Sequence, residues 1–146
     1  MQIPEGFEPH YRKSPATDAW EPLYSRRKNG IVEIGLVAGK PHSNSRGFLH
    51  GGVLATLADN AMGLSYHETR VLLLGKDEAA KSGLTVNLSV DFVSAARAGA
   101  WLQITPRVLR AGKATGFVDA TIAADDEIIA RASAIFRVLD QARQPQ

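Results

Sequence analysis

Asp59 is a single carboxylate set into an apolar run, and a polar, glycine-rich turn stands just ahead of that run. From Val53 to Leu64 the residues are apolar on nearly every face, which predicts a helix buried all round. An ionised carboxylate leaves water only at a cost of several kcal/mol unless a partner or a wet cleft compensates. Asp59 therefore reads either as a nucleophile or general base, or as half of a structural ion pair. The turn, Asn44-Ser45-Arg46-Gly47-Phe48-Leu49-His50-Gly51-Gly52, ends where the helix must begin. The first N–H groups of a helix lack intrahelical acceptors and lie at the positive end of its dipole. Glycine lets another group come close, so the N–H of Gly51 or Gly52 is placed to donate to an oxyanion forming on an acyl carbonyl. An anion-binding turn and a carboxylate together describe acyl transfer.

Spacing sets a condition on that chemistry. At 1.5 Å of rise per residue, the helix from Gly51 to Asp59 covers roughly 12 Å, too far for both to meet one carbonyl. Two such helices running antiparallel across a two-fold axis would bring Gly51 of one subunit to Asp59 of the other, giving two equivalent composite sites. A homodimer is expected.

The elements that must position these residues follow from punctuation and periodicity. Residues 1–22 hold four of the seven prolines and predict a loop or short helix packed on the body. Lys28-Asn29-Gly30 is a hairpin signal between strands at Leu23–Arg27 and Ile31–Val37. Tyr66–Ser82 is mixed and reads as a linker in preference to a helix extension. Strands are expected near Leu84–Ser94, Ala100–Arg110, Thr115–Ala124 and Ile128–Leu139, with turns at Ala98-Gly99, Ala111-Gly112 and Asp125-Asp126, as an antiparallel meander. Leu84, Val86, Leu88, Val90 and Phe92 alternate with Thr85, Asn87, Ser89 and Asp91, so that strand should bury its apolar side. Leu54, Leu57, Met62 and Phe48 line an acyl pocket or belong to the core, and core is the preferred reading. One helix against six or so strands is an α+β fold.

Composition narrows the function class. A chain of 146 residues with 45% hydrophobic and 22% charged residues suits one domain, and a net charge of +2 gives no nucleic-acid patch. With no cysteine there is no thiol nucleophile. The start carries no secretory signal, and no run approaches the roughly 20 apolar residues of a membrane span, so a cytoplasmic protein with no membrane partner is expected. Gly63-Leu64-Ser65-Tyr66-His67 lacks the final glycine of a nucleophile elbow. His10, His42, His50 and His67 show no metal-ligand spacing, and neither G-x-G-x-x-G nor a Walker loop occurs. No metal and no cofactor are expected.

The run Asn44-x-x-Gly47-x-x-His50-Gly51-Gly52, followed by Asp59 and later by Gly83-Leu84-Thr85-Val86-Asn87-Leu88, resembles the hotdog-fold acyl-CoA thioesterases of the phenylacetate-pathway type, from about Tyr24 to Arg137. The resemblance implies a hotdog fold: one long central helix wrapped by an antiparallel sheet of about six strands, occupying residues 23–140, with an N-terminal extension over 1–22 and a tail over 141–146. It implies that Asp59 is nucleophile or general base, that the Gly51 N–H polarises the thioester carbonyl, that Asn44 ahead of the helix contacts Asp59 or helps hold the attacking water, and that His50 is an orienter or helix-start hydrogen bonder in preference to a proton shuttle. Thr85 corresponds to the Ser or Thr that helps hold the attacking water from the other subunit. Gly52, Phe92, Arg110 and Arg137 would contact substrate, with Phe92 beside the pantetheine arm. Arg97 and Lys113 are further cations available to phosphate. The implied substrate is an aryl- or medium-chain acyl-CoA, with coenzyme A as part of the substrate and homodimers paired into tetramers. Two rivals share the fold: a module that binds acyl-CoA without hydrolysing it, and an acyl-CoA dehydratase working through His50 and Asp59.

Overall fold

In the computed structural model, which describes residues 1–81 and 83–139, the first strand β1 (Glu8–Pro9) pairs with β2 (Tyr24–Lys28) and β2 turns back into β3 (Ile31–Val37). Asn29 and Gly30 make that turn with φ values of 52° and 80°, the paired positive angles that match a two-residue loop to the twist of its strands. The long helix α1 (Gly51–Leu74) and a short α2 (Lys76–Ala79) follow. The remaining strands are β4 (Gly83–Phe92), β5 (Trp101–Ala111), β6 (Thr115–Ala124) and β7 (Glu127–Val138). Among the described residues all pairings are antiparallel, and the sheet has seven strands in the order β1-β2-β3-β5-β6-β7-β4. The additional strand over the expected six is β1, whose two residues carry no strand pattern of their own.

Two expectations about connectivity are corrected. Strands β5, β6 and β7 form the meander, but β4 pairs with β7 at the far edge instead of beside β5. The 24-residue α1, about 36 Å long at helical rise, carries the chain across the sheet from β3 to that edge. The stretch after Tyr66 is no linker: α1 continues to Leu74. Polar residues hid its apolar register. The Tyr66 ring stacks on Phe136 with centroids 5.6 Å apart, its hydroxyl donates to the Gly112 carbonyl at 2.9 Å, and Arg70, 1% exposed, lies over the same ring.

Helix α1 is not buried on every side. Val53, Leu54, Leu57, Ala58, Ala61, Met62 and Leu64 pack into the core with Ile34, Leu36, Leu102, Ile104 and Ile122, so Leu54, Leu57 and Met62 are core residues. Gly52 is exposed and Thr56, Asp59, Asn60, Gly63 and His67 are partly exposed, so that these residues form a stripe along one face that this chain covers incompletely. Asp59 lies on that stripe and is partly exposed, not enclosed.

Strand β4 departs furthest from its expected form. Every residue but Val90 is exposed, with Leu84 at 50% and Val86 at 58%, because the strand has β7 on one side and nothing on the other among the described residues. Its register also shifts. Thr85 faces Phe136 and Asn87 faces Ile135, leaving Val86 as a β-bulge. Strict alternation puts Thr85 opposite the apolar side, but the bulge returns it to the side of Leu88, Val90 and Phe92, whose partners Ala134, Ala132 and Ala130 are buried beneath α1. Leu84, Asn87, Ser89 and Asp91 occupy the outer face with Arg137, Ile135, Ser133 and Arg131.

Candidate active site

The helix start is built by its turn. Asn44 Oδ1 accepts from the N–H groups of Arg46 (2.9 Å) and Phe48 (3.1 Å), which closes the turn and leaves the Nδ2 donors unspent among the described residues. The His50 N–H donates to the His42 carbonyl at 2.8 Å, and Arg97 lies over the Phe48 ring at 4.1 Å, which fixes the turn against the loop before β5. His50 is the N-cap of α1: its carbonyl accepts from Val53 and Leu54, and its Nδ1 accepts from the Gly52 N–H at 2.9 Å. The cap consumes the donor of Gly52 and leaves that of Gly51, which has no acceptor among the described residues. Phe92 shields the same spot, since a Cβ added to Gly51 would lie 3.0 Å from its ring. A bare, dipole-aligned N–H beside an aromatic wall is an oxyanion donor in form.

Two helical turns on, Thr85 Oγ1 donates to Asp59 Oδ1 at 2.7 Å. The bulge at Val86 makes this bond possible by turning Thr85 toward α1. The bond occupies Oδ1, and Oδ2 has no hydrogen-bond partner among the described residues. Thr85 and Asp59 thus meet within one chain. Both line a cleft of about 580 Å³ together with the buried Leu64, Tyr66, Arg70 and Phe136 and with Arg12, Lys13, His67 and Lys81.

The sequence-derived residues fall into three groups. Asn44, His50, Gly51, Gly52 and Phe92 converge at the helix start, and Asp59 with Thr85 converge at its middle. Arg110 and Arg137 join neither: Arg110 lies beside Asn29, Thr69 and Gly112, and Arg137 pairs with Leu84 on the outer face of the sheet. Within one chain the two convergent groups remain separated by eight residues of unbroken helix. Arg12 and Lys13 were beyond sequence reasoning, since a Pro-rich leader carries no periodicity to place it. No group of His, Asp or Glu suited to a metal occurs among the described residues, and no described helix is long and apolar enough to cross a membrane.

A model of the thioesterase superfamily matches residues 46–130. A Pseudomonas aeruginosa protein carrying a provisional esterase name is 33% identical over 94% of this chain and 98% of its own length. Human acyl-coenzyme A thioesterase 13 is 37% identical over 62% of this chain and 60% of its own. In fold, the chain is similar to a Streptococcus pneumoniae thioesterase protein solved with coenzyme A (TM-score 0.71, 22% identity, 84% of this chain and 92% of that one). It is also similar to the Escherichia coli PaaI protein of the phenylacetic acid degradation operon (TM-score 0.69, 20% identity, 81% and 80%).

Proposed function

Because this chain belongs to the thioesterase superfamily and is a thioester hydrolase, we propose that it cleaves acyl-CoA to a carboxylic acid and free CoA in a site shared by two copies of itself. The observation that carries this reading is the division of the machinery: an unspent Gly51 N–H at one end of an incompletely covered helix stripe, and a Thr85–Asp59 pair in its middle. A second copy of the chain, with its α1 antiparallel, covers the stripe and supplies what each half lacks. The exposed apolar β4 supports the same arrangement, since a ten-residue edge strand bearing Leu84, Val86 and Leu88 is a pairing surface unless something protects it. Two β4 strands pairing across the axis would continue the sheet from one subunit into the other.

In this dimer the thioester carbonyl oxygen accepts from the Gly51 N–H of one subunit, with the Asn44 amide as a further donor. Asp59 of the other subunit acts through Oδ2. It takes a proton from a water that the Thr85 oxygen helps hold, and the water oxygen adds to the carbonyl carbon. The tetrahedral oxyanion is stabilised at Gly51. Its collapse breaks the C–S bond and expels the CoA thiolate, which recovers a proton from Asp59. Direct attack by Asp59 Oδ2, with water then cleaving the mixed anhydride, reaches the same products. His50 caps the helix with Nδ1 and so serves as a positioning residue, which favours hydrolysis over a dehydratase role for its ring. The CoA thioesterase name and the CoA-bound fold relative support the choice of carrier.

The test is release of free thiol from a panel of aryl- and fatty-acyl-CoA thioesters by the wild type and by Asp59→Asn. A loss of at least about 100-fold in the variant is expected, the lower end for removing a general base. Turnover that survives the substitution overturns the role of Asp59.

A further inference from the structure

The N-terminal segment reaches the Asp59 cleft, and we propose that Arg12 and Lys13 on this segment recognise an anionic group of the substrate and so set its specificity. This rests on the acyl-CoA reading above and extends it to a part of the chain that the thioesterase family match, residues 46–130, does not include.

Position comes first. The segment is held against the body by defined contacts: Phe7 is buried with its ring edge-on to Trp101 at 5.2 Å, the His10 N–H donates to the Leu23 carbonyl at 2.9 Å, and β1 pairs with β2. Residues 12–15 are thereby laid along the cleft that contains Asp59 and Thr85. Charge comes second. Arg12 and Lys13 line the cleft, and among its described lining residues Asp59 is the one carboxylate. Lys13 bonds Glu21 at 2.8 Å but keeps a largely exposed side chain, and Arg12 has no carboxylate partner among the described residues. Shape comes third. Leu64 and the stacked Tyr66 and Phe136 give the cleft an apolar, aromatic floor. Its volume, about 580 Å³, lies within the usual range for a small-molecule site. A floor of this kind takes an aryl or alkyl body, and a cationic rim takes an anion at the end of it. Two parts of an acyl-CoA carry such an anion: a carboxylate on the distal end of the acyl group, or the phosphates of CoA.

Equilibrium binding in the Asp59→Asn background separates the two sources without relying on turnover. The probes are benzoyl-CoA, 4-carboxybenzoyl-CoA, and the N-acetylcysteamine thioesters of the same two acids, which lack phosphate. Each is titrated with Asp59→Asn alone, with added Arg12→Gln and Lys13→Gln, and with added Arg12→Lys and Lys13→Arg. The Gln pair is expected to weaken Kd about tenfold for ligands carrying the recognised anion, and the charge-preserving pair to restore it. Weakening confined to both carboxybenzoyl thioesters assigns the rim to the acyl group. Weakening of both CoA thioesters, with the N-acetylcysteamine pair unmoved, assigns it to CoA. Kd values within twofold of the Asp59→Asn protein for all four ligands overturn the proposal. The thioesterase reading is judged separately by thiol release from the wild type.

Discussion

The sheet closes its first edge with β1, two residues long, laid on a β2 that carries Arg26, Arg27 and Lys28, and leaves at its other edge ten residues of β4 with Leu84, Val86 and Leu88 exposed. At the first edge Arg26 pairs with Glu33 at 2.5 Å and packs over Phe7, while Arg27 lies over Tyr11 and 3.8 Å from Glu68. Short length and fixed positive charge are how sheets prevent pairing with another chain. Strand β4 is long and carries no charged residue before Asp91, which pairs with Arg131 at 3.0 Å. The contrast teaches which edge is closed by its own chemistry and which is open to pairing: the first carries charge, and the apolar one lies beside the helix stripe that carries Asp59.

The largest effect expected from disturbing this contrast comes from giving the open edge the chemistry of the closed one. Val86→Lys should convert the proposed dimer to a folded monomer, seen by sedimentation, and reduce thioester hydrolysis by about 100-fold through loss of the shared site. Reversing charge at the closed edge, Arg27→Glu, should leave both assembly and activity within about twofold, since partly exposed ion pairs contribute little. A β4 substitution that leaves the oligomer intact would remove the argument from edge exposure.

A smaller change sharpens the role of the bulge. Thr85→Val keeps the shape and removes the hydrogen bond to Asp59. The bond is exposed and contributes little to stability, whereas loosening the carboxylate it orients should lower kcat by roughly 10- to 100-fold while the melting temperature stays near that of the wild type. An unchanged kcat would make Thr85 an ordinary strand residue.

The smallest effect belongs to the closed edge. His10 is 2% exposed and neither ring nitrogen has a partner among the described residues. Its pKa is lowered from 6.5 by burial, with Lys13, Arg12 and Arg27 adding to the shift and Glu21 opposing it. The unfolded chain therefore binds more protons than the folded one below pH 6.5, and stability rises with pH through that window. The contribution is complete above about pH 6.5 and is lost as pH falls beneath it. Thermal melts between pH 7.5 and 5 should show a decline that His10→Phe flattens, and equal slopes for both proteins would refute the assignment.

Legibility in the sequence tracked how local the determining interaction was. Asn29-Gly30 and Asp125-Asp126 carry positive φ themselves, so their hairpins were readable, and the six longer strands appear within one or two residues of their expected ends. The helix beyond Tyr66 was hidden because its inward residues include Tyr66 and Arg70, polar groups that bury only when Phe136 and the Gly112 carbonyl arrive from the distant β7 and β5–β6 turn. The bulge at Val86 breaks no composition rule, so period-two alternation put Thr85 on the wrong face while the motif still named it. Arg110 and Arg137 were placed by resemblance alone and lie away from the Asp59 cleft of their own chain. Arg12 and Lys13 reach the cleft through tertiary contacts that no local pattern encodes.

The shared site is tested most directly by complementation. Gly51→Pro removes the proposed oxyanion donor at the first helical position, where proline is favoured, and His50 already holds the extended φ of −75° and ψ of 128° that suits a following proline. Because any Cβ here meets the Phe92 ring at 3.0 Å, Gly51→Ala, which keeps the N–H, is the steric control and should retain activity. Gly51→Pro and Asp59→Asn chains carrying different tags are co-expressed and the mixed dimer is isolated. Each homodimer should be inactive, and the mixed dimer, which pairs the intact Gly51 of one chain with the intact Asp59 of the other, should recover about half of wild-type thiol release. A mixed dimer as inactive as its parents would contradict a site built across two subunits.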